Sequence, residues 1–279
     1  MKPLFYEDDI KMRLKIAVGL VAVVTGACNA RNESSEPKIF GGTQSSPGAW
    51  PSAVAITYNG VIGCSGTAIH PQVVITAAHC LGSKDTTAVY VGGGVDGGQV
   101  SPQYQVARYR AMPPPDYSIF ERQDIGSISI SDDFFEEKDI GYIVLDRPLD
   151  LPADAYVPIL LSPAEISEVL VPGRTARLVG FGLRNGKVNF GSKYETDATI
   201  TRVRTTEADI GGDGHDACLR DSGGPAYAQL SNGQWRVFGV TSRGSICGEG
   251  GTWELMSAGI CWIQADSGIN LNLPKGTCP

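Results

Sequence analysis

Three short segments carry side chains that could do chemistry together. Thr76-Ala77-Ala78-His79-Cys80 puts a His just after a β-rich run. Asp139-Ile140-Gly141-Tyr142-Ile143-Val144-Leu145 opens an apolar strand with an Asp. Cys218-Leu219-Arg220-Asp221-Ser222-Gly223-Gly224-Pro225 places a Ser at the apex of a tight, Gly-rich turn. A serine hydroxyl is a poor nucleophile at neutral pH; it needs a base within hydrogen-bond reach and a third group to orient that base. Imidazole, carboxylate and hydroxyl are those three parts. Each segment alone has a plainer reading. A lone His is usually a satisfied structural group, and an Asp before a strand or a Ser before Gly-Gly-Pro is usually a turn residue. Asp124-Ile125-Gly126 repeats the Asp-Ile-Gly motif and competes with Asp139 for the carboxylate role, but it leads into Ser127-Ile128-Ser129, a weaker core strand.

The elements that must hold these groups read as strands. Short apolar or alternating runs recur from Ile39 onward: 52–58, 73–76, 142–145, 176–179 and 235–241. Turn residues separate them, and Asn59-Gly60 and Asn232-Gly233 are hairpin signals. Gly 35 and Pro 17 make up nearly a fifth of the 279 residues, against a usual share of about 12%. Such a chain is rich in turns and poor in long helices, which indicates an all-β sandwich or barrels. One longer helix is expected near the end, from Leu255 to Gln264. Pro113-Pro114-Pro115 and the charged stretch 132–139 read as exposed loop, and 148–158 as the connection between two halves.

In His–Asp–Ser order, with Lys38-Ile39-Phe40-Gly41-Gly42 upstream, the segments resemble the trypsin/chymotrypsin family of serine endopeptidases. The resemblance runs from Ile39 to about Gln264. It implies two packed six-stranded antiparallel β-barrels, about 39–150 and 151–265, with a C-terminal helix and the catalytic groups in the cleft between them. It makes Ser222 the nucleophile, His79 the general base and then acid, and Asp139 the carboxylate that holds the His tautomer. Asp146-Arg147-Pro148-Leu149 after the Asp139 strand also follows the family pattern, which favours Asp139 over Asp124.

The resemblance also implies activation and specificity. Cleavage between Lys38 and Ile39 would free an α-amino group that pairs with Asp221 and shapes the oxyanion hole, so the chain is expected to be a zymogen. Asp216, six residues before Ser222, matches the carboxylate at the base of the primary pocket, where it favours an Arg or Lys side chain; the plainer reading is a loop Asp. Ser242 and Gly244 resemble the strand that pairs with the substrate backbone, and Gly251 the small residue of the pocket wall. Three positions depart from the pattern. Arg220 stands where most members have a Gly whose N–H joins that of Ser222 in the oxyanion hole, Arg243 replaces a usual Trp, and Ile246 a usual Gly. An Arg at that first position either lets the peptide flip or crowds the leaving-group side. The expected enzyme is active, fussy about substrates and resistant to protein inhibitors.

The seven Cys suit a secreted chain. By resemblance, Cys64 pairs with Cys80 and Cys218 with Cys247, which leaves Cys261 with Cys278 and makes Cys28 the odd one out. A four-Cys zinc site lacks paired CxxC spacing. No metal or cofactor is expected. Met12 to Cys28 has the basic, apolar, small-residue order of a secretory signal. Glu7, Asp8 and Asp9 are odd in such a signal, and Met12 is a candidate true start. Val24-Thr25-Gly26-Ala27-Cys28 reads either as a bacterial lipobox, with Cys28 lipidated, or as an ordinary signal with an incidental Cys. Residues 1–28 are then a signal, 29–38 a tether or propeptide, and 39–279 the peptidase domain. The protein is expected outside the cytoplasm, secreted or lipid-anchored, and monomeric, with protein or peptide substrates. The net charge of -7 argues against a general nucleic-acid binder. Two rivals remain: a catalytically weakened binding module on the same fold, and an esterase-type hydrolase, whose Gly-x-Ser-x-Gly is absent.

Overall fold

The strands follow from their burial patterns. Of the thirteen among the described residues, six build the first barrel and six the second, after a two-residue strand, β1 (Thr43–Gln44). The first barrel contains β2 (Ala53–Tyr58), β3 (Val61–His70), β4 (Val73–Thr76), β5 (Thr86–Tyr90), β6 (Tyr104–Ala111) and β7 (Gly141–Leu145). They close in the order β2-β3-β4-β7-β6-β5, all neighbours antiparallel. The second contains β8 (Thr175–Gly180), β9 (Tyr194–Val203), β10 (Glu207–Ile210), β11 (Pro225–Gln229), β12 (Trp235–Gly244) and β13 (Gly251–Leu255). Their order is β9-β10-β13-β12-β11-β8, and β8 pairs back onto β9 to close the ring. This computed structural model describes residues 39–81, 86–112, 138–184 and 189–279. The expected signal segment, Cys28, Lys38, Asp124, Pro113-Pro114-Pro115 and residues 132–137 lie outside the described residues.

Strand β9 buries every second residue from Tyr194 to Ile200, as a sheet with one face on a core requires. Strand β4, with Val73, Val74, Ile75 and Thr76 all buried, is covered on both faces. Ile56, Val74, Ile75 and Ile143 sit in the first core; Leu178, Ile200, Phe238 and Trp253 sit in the second. The β2–β3 hairpin turns on Asn59 and Gly60, at φ 52° and 83°, the left-handed pair of a type I′ turn.

The halves exchange ends. Strand β1, from the N-terminal side, pairs with β9 of the second barrel. The C-terminal helix packs on the first: Ile260 and Ile263 join its core, and Trp262 meets Tyr142 edge-on at 5.4 Å. That helix runs from Ile260 to Ser267, later than the expected 255–264. Leu255 completes β13, residues 256–258 form a 3-10 turn, and Gly259 packs against Ile140 where a Cβ would crowd it. A second short helix, Pro163–Val169, lies in the inter-barrel connection, with Ser162 before it and Pro163 opening it. Disulfides join Cys64 to Cys80, Cys218 to Cys247 and Cys261 to Cys278.

Candidate active site

Sheet register brings the three motifs to one place. In the first barrel, Thr76 at the end of β4 pairs with Gly141 at the start of β7. His79 lies three residues beyond Thr76 and Asp139 two before Gly141, so both emerge at the same barrel end. A 3-10 turn, Ala78–Leu81, presents the His, and its disulfide to Cys64 fastens that turn to β3. Asp139 binds His79 twice. Its Oδ1 accepts the His79 backbone N–H at 2.9 Å, and its Oδ2 lies 2.7 Å from His79 Nδ1.

The second barrel brings the Ser. Gly223 donates to Thr241 O at 2.7 Å and Thr241 N donates to Gly224 O at 2.9 Å, which lays the Ser222 turn beside β12. The Ser242 hydroxyl on β12 donates to Asp139 Oδ2 at 2.8 Å and ties the two barrels together at the carboxylate. Gly223 makes the close approach possible. At φ 80°, a Cβ there would lie 2.0 Å from Thr76 Oγ1 and 2.9 Å from Ala77 N. The main chain of Ser222 thus lies against the strand end that leads into His79. Among the described residues the Ser222 hydroxyl makes no hydrogen bond.

The electrostatics separate two kinds of carboxylate. Burial pushes the Asp139 carboxyl up, but the hydrogen bonds from His79 and Ser242 outweigh it and hold Asp139 below its usual range. Asp139 in turn raises His79, against a smaller effect of burial. Among the described residues, Asp216 and Asp221 have no such cationic or hydroxyl partner. Asp216 accepts N–H bonds from Ala217 at 2.7 Å and Gly250 at 2.9 Å, yet burial lifts it to about 6. Asp221 accepts from Gly182 at 2.7 Å and Cys218 at 2.9 Å, and burial lifts it to about 7.

A cavity of about 380 Å³ runs from Ser222 to Asp216, walled by Cys218–Cys247, Ser242, Gly244 and Gly251. Exposed Leu219 and Ile246 stand on its rim. The segment after Lys38 is seated beneath it. Phe40 O accepts the Asp216 N–H at 3.0 Å, the Phe40 ring covers Gly248, and Gly41 fits against Gly214 and His215 with no room for a Cβ. Ile39 is buried at φ 38°, a backbone region that strains a β-branched residue.

Arg220 also has a positive φ, 77°, so its backbone takes the left-handed conformation that a Gly would take. Its guanidinium points away from the Asp216 cavity. Nη1 donates to Ile62 O at 2.7 Å and the group lies 3.9 Å over the Phe190 ring. The N–H groups of Arg220 and Ser222 have no acceptor among the described residues. Cys64, His79 and Cys80 are the one cluster of metal-ligand type there, and the disulfide removes two of its thiolates.

Residues 39–258 match the family model described as Trypsin. The chain belongs to the trypsin family. Its two closed barrels are the architecture that the resemblance implies. The curated relatives it matches include the atrial natriuretic peptide-converting enzyme of Homo sapiens, 29% identical over 221 residues, covering 75% of this chain and 20% of that protein. The Rattus norvegicus and Mus musculus enzymes of the same name are 29% identical over 253 residues, 85% of this chain and 22% of theirs. The chain thus spans about a fifth of the length of these relatives.

Two features of the site carried no sequence signal. The stacking of Arg220 on Phe190 joins residues 30 positions apart, and the buried carboxyls Glu207 and Glu254 meet only because β10 pairs with β13. Neither spacing follows a local period.

Proposed function

We propose that the protein is an extracytoplasmic endopeptidase that cleaves after Arg or Lys through an acyl-enzyme. Ser222 attacks the scissile carbonyl. His79 takes the hydroxyl proton and returns it to the leaving amine, while Asp139 keeps Nδ1 protonated and stabilises the imidazolium. The N–H groups of Arg220 and Ser222 receive the oxyanion, an arrangement in which each donor contributes roughly 2.7–4 kcal/mol of transition-state stabilisation. The observation that carries specificity is Asp216, a buried carboxylate in the wall of the cavity that Ser222 also lines. A guanidinium or ammonium entering there supplies the charge that the carboxylate lacks. A panel of peptide esters differing only in the residue before the scissile bond tests this; faster turnover of Phe or Ala than of Arg and Lys refutes it.

The same logic supports a zymogen. Asp221 is fully buried without a cation among the described residues, and an uncompensated buried charge is costly. Cutting Lys38–Ile39 would relieve the strained φ of Ile39 and create an ammonium in the segment already seated against Asp216. A Lys38→Gln protein that stays uncut should be nearly inactive; full activity in it ends the reading. The three disulfides suit an oxidising compartment, and the signal and lipobox readings of residues 12–28 agree with that. Fatty-acid labelling of Cys28 separates an anchored from a free form.

Arg220 favours a second reading, a weakened binding module on the protease fold. Its backbone sits at a positive φ that an Arg rarely adopts. Stoichiometric labelling of Ser222 by a fluorophosphonate distinguishes the two, and absence of label would leave the binding module.

A further inference from the structure

Behind the Asp139–His79 pair lies a third carboxyl that the catalytic scheme does not use. Glu254 on β13 is 1% exposed. Its register partners are Glu207 on β10 and Val240 on β12. Neither of its carboxyl oxygens has a hydrogen bond of good geometry among the described residues, although the Asp139 backbone N–H and the Glu207 carboxyl both face it. The charged groups around it are few. Glu207 faces it from β10, Arg243 from β12 at 3.8 Å, and Asp139 from the segment before β7. Glu207 is already engaged: it binds Arg243 at 2.6 Å and Arg204 at 2.8 Å. Arg243 cannot neutralise Glu254 as well, because its close contact is with Glu207 and its side chain is 53% exposed. Both guanidiniums, Arg243 and Arg204, close on Glu207, and a neighbouring carboxylate disfavours the charged form of a buried carboxyl such as Glu254.

We infer that Glu254 is a positioning residue of the catalytic centre, kept neutral behind Asp139 by its neighbour Glu207, and that its ionisation adds a second negative charge behind the Asp139–His79 pair. Burial, then Glu207, hold its carboxyl well above the usual range, with the Asp139 N–H and Arg243 opposing. The sign of the coupling follows. An ionised Glu254 favours the imidazolium form of His79, which is the form present in the transition state. Catalysis should therefore gain on the alkaline side, after His79 itself has lost its proton. By linkage, protonating His79 should equally favour the ionised Glu254.

The inference rests on the protease reading, and the test keeps the two apart. The chain has three His, so the His79 Cε1–H resonance can be assigned by a His79→Gln control. In wild-type protein it should show a main inflexion from His79 and a second, smaller one at alkaline pH. Glu254→Gln should abolish the second alone. Glu207→Gln should move it to lower pH, and it serves as the readout if Glu254→Gln folds poorly. In kinetics, the wild-type to Glu254→Gln ratio of kcat/KM should rise roughly threefold to tenfold between neutral pH and about pH 9.5. A second inflexion that persists in Glu254→Gln, or stays in place in Glu207→Gln, overturns the inference, as does a flat kinetic ratio in enzyme that a fluorophosphonate labels. Loss of the inflexion in protein that takes no label would uphold the coupling and remove the protease reading instead.

Discussion

Asp139 and Asp221 are acids of the same cleft, and their surroundings treat them in opposite ways. Asp139 has its partners in place. Two hydrogen bonds from His79 and one from Ser242 fix both its oxygens and keep it charged. Asp221 is deeper, held among the described residues by the N–H groups of Gly182 and Cys218, and burial lifts it to about 7. Asp216 resembles Asp221 in this respect. The contrast separates a working part from parts that wait. We read the carboxylate with resident donors as suited to orient a base, and those buried with backbone donors as suited to receive a cation. In our reading, the cation for Asp216 is a substrate side chain and that for Asp221 is the chain's own new terminus.

Asp139→Asn attacks the first kind and should have the largest effect, a fall in kcat of roughly 10⁴-fold from the wrong His tautomer. The acid limb of the pH profile should also move down, because Asp139 is what raises His79. Asp124→Asn should leave turnover near wild type; if the two variants exchanged behaviour, the assignment of the carboxylate would be reversed. Asp216→Asn tests a waiting site. Cleavage after Arg or Lys should fall by roughly a hundredfold to a thousandfold, mainly through weaker binding of the charged side chain, with little change for an uncharged side chain. An equal fall for both would mean that Asp216 supports the loop and does not read the substrate.

Asp221 makes a prediction about stability. Its folded value, about 7, exceeds its ordinary value of 3.8. Its contribution in the uncut chain is then fully present below about pH 4 and is lost as pH rises through 7. The loss should be a few kcal/mol. In chain cut before Ile39, an ammonium partner should restore much of it. Melting temperatures of cut and uncut Ser222→Ala protein should therefore diverge as pH rises from about 5 to about 8, and Asp221→Asn should bring them together. Parallel curves would show that the new terminus goes elsewhere. Arg220→Gly should have the smallest effect. It removes the tie to Ile62 O and the stack on Phe190 while relieving a positive φ, so the gains and losses nearly offset. Turnover should rise, or a protein inhibitor bind more tightly, by up to about tenfold; no change in either would set aside the idea that Arg220 guards the leaving-group side.

The all-β barrels were legible because the strands are short, apolar and punctuated by Gly, Pro and Asn. The β2–β3 turn could be read from Asn59-Gly60 directly. His79, Asp139 and Ser222 stood out as candidates because each lies in a short motif whose order along the chain is informative. The disulfide pairs, by contrast, came with the resemblance and could not be read from spacing. The helix at 163–169 was missed because seven residues are too few to show a helical period, although Ser162-Pro163 is a reasonable start. The late start of the C-terminal helix was hidden because apolar residues at 255–256 serve equally well in a strand end. The third carboxyl was illegible for a deeper reason. Nothing near Glu254 in the chain marks it; Glu207, Arg243 and Asp139 reach it only through folding.

The crossing of β1 onto the second barrel and of the last helix onto the first bears on how the molecule comes apart. Each barrel borrows a piece encoded at the far end of the other's half of the gene. Neither half, expressed by itself, would own all of its covering, and melting should proceed as one event for both. Ribosomal synthesis would then have to pass the last helix before the first barrel could settle.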